Sequence, residues 1–298
     1  MNHPTSERPV ARRLDGQHGY SDEATFFGSG DQSIFGVLHR PHSEPTAGVV
    51  ICPATDSEFA TYGIDVAVGR VLASRGVAVQ RFHPRGFGHS DGHPQDVTFD
   101  TMKTDALVAA ERLVEETGIT RVGFMGVRFG GLVAASAASE HPGSPVALIE
   151  PALEAAKFFK NAWRATLVRD VQAGDSDRAR GQGLAQALAE SETVDLLGYS
   201  ICRPFYETAK GRTVVGELNG DARRVLLIQL GRETTARPDI TAASEELEAR
   251  GYKVDVEQIE DDVTWWFPPA AEAERPRRRG LVGLTSGWLA SELTGVAA

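Results

Sequence analysis

The chain is poor in several things, and each scarcity closes a route. It has only two cysteines, Cys52 and Cys202, far apart in 298 residues, so neither a disulfide framework nor a thiolate zinc cluster can be built. Positive charge is in the minority, with 31 basic against 41 acidic residues and a net charge of −10. Such a chain repels phosphate backbones, which argues against nucleic-acid binding. No apolar run is long enough to span a bilayer. The first twenty residues, MNHPTSERPVARRLDGQHGY, lack the apolar core of a secretory signal and read as a solvated arm on a cytoplasmic protein. The last scarcity concerns histidine: all eight (His3, His18, His39, His42, His83, His89, His93 and His141) lie before residue 142.

What the chain does have is a core. An apolar fraction of 41% with 24% charged residues belongs to a folded globular protein. Two apolar runs flanking Gly28–Asp31 predict a β-hairpin over 24–39. Short continuous runs at 48–52, 77–82, 121–125 and 146–149 predict strands buried on both faces. Helical spacing over 64–75, 99–117 and 129–139 falls between them, the first two stretches stopping at Gly76 and Gly118. Strand–helix–strand alternation predicts parallel pairing in a doubly wound sheet. The alternation breaks over 151–220, where helical stretches at 152–165, 183–197 and 205–210 suggest a lid. It resumes with strands at 225–230 and 254–259, a helix over 240–250 and a last one over 281–293. The expected organisation is therefore an arm (1–20), a core (21–150 and 221–298) and a helical lid (151–220).

Ligands of open α/β sheets bind beyond the carboxyl ends of the strands. The most specific pattern there is Gly126-Val-Arg128-Phe129-Gly130-Gly131, a G-x-S-x-G frame between a strand and a small-residue helix. Arg128 stands at the serine position. With this elbow, the segment Arg81-Phe-His-Pro-Arg-Gly-Phe-Gly-His-Ser-Asp-Gly92 and the loop Cys52-Pro-Ala-Thr-Asp56, the chain resembles the α/β-hydrolase superfamily from about residue 24 to 293. Its finer likeness is to the exosortase-system-associated hydrolases, a group with G-x-R-x-G elbows. The resemblance implies a mostly parallel sheet, a cap between residues 151 and 220, and a nucleophile–acid–base order along the chain.

The triad is degenerate against that pattern. The base belongs in the last third of the chain, which has no histidine, and Val263 falls near its place. Glu233 is the nearest carboxylate to the acid position, with Thr234 the closer positional match. Acyl-enzyme hydrolysis needs an activated nucleophile beside a base, and both are missing. The N–H of Phe129 and one from Ala54 or Thr55 remain as oxyanion-hole donors, and Arg128 adds a fixed cation with a planar donor fork. Glu150 and Asp56 are the candidate proton-transfer carboxylates, Glu150 being equally suited to serve as the counter-ion of Arg128. Trp265 and Trp266 suggest a stacking wall, with packing against the last helix as the plainer alternative. His83 more simply holds its loop, and Cys52 reads as a buried hydrophobe.

Three functions are consistent with these residues. One is a non-hydrolytic enzyme that steadies an enolate or oxyanion, as in Michael addition, epimerisation or isomerisation. Triad-less members of the superfamily do such chemistry in natural-product pathways, and the Ala-, Gly- and Arg-rich composition fits a high-GC bacterial source. The others are a ligand-binding pseudoenzyme and a hydrolase using Ser57, Thr55 or Cys52. The expected partner is a small apolar or aromatic carbonyl compound, with no metal or cofactor, no nucleic acid or membrane, and a homodimer as an admissible assembly.

Overall fold

The computed structural model describes residues 11–15, 18–29, 32–54, 58–172, 174, 183–219, 224–233, 235–260 and 276–295. The chain opens with strands β1 (Ala11–Asp15), β2 (Tyr20–Ser29) and β3 (Gln32–Pro41), an antiparallel series in which Ala11 faces Ala24 and Ser29 faces Gln32. The predicted hairpin is present. Residues 1–10 lie outside the described residues, and within the segment read as an arm Ala11–Asp15 is a strand paired to β2. Its polar sequence carries no apolar alternation, so only the partner strand defines it.

Alternating units follow: β4 (Ala47–Cys52), α1 (Glu58–Ser74), β5 (Val77–Phe82), α2 (Phe99–Thr117), β6 (Val122–Val127), α3 (Phe129–Ala138) and β7 (Val146–Ile149). Every residue of β4, β5, β6 and β7 is buried, as continuous apolar runs in a parallel sheet require. The α2 helix has clear ends. Thr98 and Thr101 exchange side-chain and backbone hydrogen bonds in a capping box, and Gly118 takes the left-handed conformation at φ 70°.

The segment expected to be a helical lid contains α4 (Ala155–Gln172), α5 (Leu184–Glu190), α6 (Arg203–Ala209) and the single turn α7 (Val214–Glu217). It also contains an antiparallel hairpin, β8 (Thr193–Leu196) with β9 (Tyr199–Cys202), which corrects the all-helical reading. Val194 and Leu196 are buried while Thr193 and Asp195 are half-exposed, a two-residue period too short to stand out behind a helical run. The core then closes with β10 (Arg224–Gly231), α8 (Pro238–Ala249), β11 (Lys253–Glu260) and α9 (Pro276–Thr294).

The nine core strands form one sheet in the order β1-β2-β3-β5-β4-β6-β7-β10-β11, parallel from β5 to β11. Helices α1 and α9 pack on one face through Ile64, Val68, Leu72 and Leu289. Helices α2, α3 and α8 pack on the other through Phe99, Leu113, Leu132 and Leu247, and the lid adds Phe159 and Phe205 to that core. At one end of the sheet β11 is an edge strand with no buried residue, carrying Lys253, Asp255, Glu257 and Glu260. The carboxyl ends of β4, β6, β7 and β10 converge under the lid, where the site is built.

Candidate active site

The turn between β6 and α3 holds Arg128 at φ 50°, ψ −119°, a conformation that L residues avoid and that costs about 1–3 kcal/mol. Its backbone is fixed from both sides. The Arg128 N–H donates to the carbonyl of Ile149 at 2.9 Å, and its own carbonyl accepts from Gly131 at 3.1 Å and Ala152 at 3.0 Å. The flanking glycines are needed for close approach. A Cβ on Gly126 would lie 2.2 Å from the Gly130 carbonyl oxygen, and one on Gly130 would lie 2.4 Å from that of Cys52. The strand-to-helix turn is thus tight and dependent on its glycines, with Arg128 at its apex.

The Arg128 side chain is half-buried and lines a cavity of about 230 Å³ together with Glu150, Pro151, Phe158, Asn161 and Ala162. Its guanidinium carbon sits 5.6 Å from the centre of the Phe158 ring, a cation–π contact. Phe129 begins α3, so its N–H has no intrahelical acceptor and adds a fixed dipole there. The Phe129 ring is fully buried against Phe99, Phe158, Phe159 and Phe205, with centroids 5.0–6.3 Å apart. It therefore pins the elbow to the lid.

Glu150 follows β7, again with a positive φ of 44°, and its N–H donates to the Ile228 carbonyl at 2.7 Å. Its carboxylate accepts from the Leu230 N–H at 2.8 Å and pairs with the Arg237 guanidinium at 2.7 Å. Arg237 is thus an ion-pair partner of Glu150 that the sequence did not indicate, beside the charge of Arg128. Burial raises the Glu150 carboxyl above its ordinary value, against the opposing Leu230 N–H, the Arg237 ion pair and the charge of Arg128. Arg237 also reaches Asp239 at 3.3 Å, and Asp239 faces Lys157 of α4 at 3.7 Å. A string of four charges thereby runs from the strand end to the lid.

The remaining sequence candidates divide into three groups. Ala54 is buried in the loop whose preceding carbonyls, those of Cys52 and Pro53, approach Gly130. Thr55, Asp56, Ser57, Thr234, Trp265 and Trp266 lie outside the described residues. Glu233, the carboxylate nearest the acid position and the sequence candidate for a substrate contact there, is exposed and is not among the residues lining this cavity. Cys52 is fully buried and its thiol is pushed strongly upward, first by burial and then by the charge of Asp65, which removes it as a nucleophile.

His83 also lies away from the cavity. Its Nδ1 accepts from the His89 N–H at 3.1 Å, and burial, with neighbouring His89 and Arg81, lowers its pKa to about 4. It organises the 83–92 turn, as do Arg85 on Asp105 at 2.7 Å and Ser33 N–H on Asp91 at 3.0 Å. Sequence reasoning missed Arg237, Phe158 and Asn161. The available signal was the helical spacing that puts Phe158, Asn161 and Ala165 on one side of α4.

Among the described residues no cluster of three or more His, Cys, Asp or Glu side chains has metal-binding geometry, and no helix is long and apolar enough to cross a membrane.

Residues 43–181 match the serine aminopeptidase family S33. No functionally curated protein matches the sequence. Among solved structures, Est1E from Butyrivibrio proteoclasticus, determined with ferulic acid bound, superposes with a TM-score of 0.67 at 16% identity, covering 91% of this chain and 100% of its own. A proline iminopeptidase from Mycobacterium smegmatis gives 0.60 at 14% identity, covering 91% and 99%. A putative hydrolase from Agrobacterium vitis gives 0.57 at 20% identity, covering 96% and 100%. The chain has the α/β-hydrolase fold that these structures share.

Proposed function

We propose that this α/β-hydrolase fold serves a non-hydrolytic enzyme that polarises the carbonyl of a small apolar or aromatic substrate and steadies the enolate or oxyanion that develops. The observation that carries the reading is the strained elbow with Arg128, rather than a nucleophile, facing the cavity. A guanidinium cannot attack a carbonyl carbon, but it donates two hydrogen bonds to an oxygen gaining negative charge. The Phe129 N–H adds a second, prealigned donor. Phe158, Pro151 and Ala162 make the surroundings apolar, which strengthens both interactions. Glu150, raised by burial, is the carboxylate that takes a proton from the carbon next to the carbonyl. The products are those of C–C bond formation such as Michael addition, of epimerisation or of isomerisation, the chemistry of natural-product assembly. Est1E, the ferulic acid-bound neighbour, makes an aromatic acid derivative a reasonable first substrate class to examine.

The test is deuterium exchange next to the carbonyl in a panel of small aryl ketones and esters, followed by NMR in deuterated water. One oxyanion donor contributes roughly 3 kcal/mol, so Arg128→Ala should slow exchange at least ~100-fold while the melting temperature moves by only a few degrees. Ester cleavage with an acylated side chain trapped by mass spectrometry overturns the reading. A second reading, ligand binding without turnover, is favoured by one observation: both oxygens of Glu150 already accept hydrogen bonds. Tight binding of a ketone that returns unchanged and unexchanged selects it.

A further inference from the structure

Helix α4 has an outer face that the mechanism does not use. Lys157, Lys160, Arg164, Val168 and Val171 recur at helical spacing and are all exposed, Val168 at 57% and Val171 at 52%. The helix presents four cations, Lys157, Lys160, Arg164 and Arg169, and its only acidic residue, Asp170, is buried. This stands on a chain whose net charge is −10. Two of the four are already engaged, Lys157 with Asp239 and Arg169 with Asp170 and Asp195. Lys160 and Arg164, one turn apart, have no hydrogen bond or ion pair among the described residues.

Arg164 and Arg169 line a trough, and Lys160 stands one turn before Arg164 outside its lining. This depression of about 350 Å³ is lined by Asn161, Arg164, Ala165, Val168, Arg169 and Gln172. It shares Asn161 and Ala165 with the cavity over Arg128, so the two adjoin along α4. At 1.5 Å per residue, Arg164 lies roughly 9 Å along the helix from Phe158, the residue that covers Arg128.

We propose that this trough binds a phosphate-bearing extension of the substrate, with the carbonyl end at Arg128 and the anionic group on Lys160 and Arg164. The inference rests on the functional reading above and supplies its substrate class. A single carboxylate on an exposed cation contributes little. A phosphate presents several acceptor oxygens and can engage the ammonium and the planar guanidinium together. Ala165 and Val168 offer the adjoining apolar contact.

The experiment is calorimetric titration at low salt with a series of keto-alkyl phosphates of increasing chain length, beside the same ketones without phosphate. The expected result is a preference of about tenfold for the phosphate at an intermediate chain length, shrinking as salt is added. It should be lost in the Lys160→Glu/Arg164→Glu variant, and the milder Lys160→Gln/Arg164→Gln variant covers the case in which charge reversal disturbs folding. A matching series of phosphodiesters separates the two sources of such a group. Preference for the monoester indicates a free phosphorylated compound, and equal binding of the diester indicates an arm tethered to a carrier. Equal affinity with and without phosphate, survival of the preference in both double variants, or no binding of any member overturns the proposal. Arg128→Ala should weaken ketone and keto-phosphate alike and leave their ratio unchanged. Failure of the carbonyl chemistry is thereby distinguishable from failure of the trough.

Discussion

Two arginines near the carboxyl ends of core strands invite comparison, Arg81 on β5 and Arg128 after β6. Arg81 is 9% exposed and donates through Nε to His39 Nε2 at 2.8 Å, while His39 Nδ1 meets Asp22 at 2.5 Å. Because the guanidinium can only donate, His39 must be neutral and carry its proton on Nδ1. Burial likewise lowers the His39 pKa, against the opposing pull of Asp22. Arg70 closes the array on Asp22 at 2.6 Å, and the ring of His39 fills the space beside Gly69, where a Cβ would come within 2.7 Å. Every member of this array is held on relaxed strand or helix backbone. Arg128 instead sits on a strained turn at a cavity. One arginine ties the antiparallel strands to the parallel core, whereas the other is carried on a strained turn beside a cavity. Backbone strain next to a cavity, set against ordinary strand backbone, separates the two positions more sharply than residue type does.

The contrast can be broken in several ways. His39→Ala should have the largest effect, about 3–5 kcal/mol of lost stability by chemical denaturation, because it strips a buried cation of its acceptor. Gly126→Ala should follow at about 1–3 kcal/mol, since the new methyl meets the Gly130 backbone rather than a yielding side chain. Acid titration should show a step owed to Asp22. Burial raises this carboxyl, but hydrogen bonds from His39 and Arg70 outweigh that and hold it at about 2. A depressed carboxylate stabilises the fold above its unfolded value, and the contribution disappears as pH falls toward 2. Thermal melts of Asp22→Asn should lack that step. Arg128→Gly should raise stability by about 1 kcal/mol through relief of the positive φ, while ligand binding at the cavity is lost. A fall in stability instead would make Arg128 as structural as Arg81. The smallest expected effect is spectroscopic: Arg237→Gln removes a charge that lowers the Glu150 pKa, so its carboxyl, followed by carbon NMR, should titrate at higher pH than in the parent.

The sheet was legible wherever burial on both faces dictated an unbroken apolar run. Val77–Phe82 and Val146–Ile149 have the predicted bounds, and α2 was delimited by its threonine cap and Gly118. Strand β1 and the β8–β9 hairpin were not, because each depends on a partner strand rather than on its own pattern. The elbow was readable from glycine spacing set between a strand and a small-residue helix, and close backbone approach at Gly126 and Gly130 explains why glycine is needed. The environment of Glu150 was not, because Arg237 reaches it from a loop that only the folded sheet brings near. Likewise helical spacing groups Phe158, Asn161 and Ala165 on one side of α4, but which side meets the cavity is set by the packing of the lid on the core.

The exposed edge strand β11 also constrains assembly. Its backbone is the kind of open ladder that invites a neighbouring chain to add on, and its acidic residues oppose that addition. Two copies meeting along this margin would bring Asp255, Glu257 and Glu260 against their own counterparts. Self-association by lengthening the sheet at this end is thereby disfavoured.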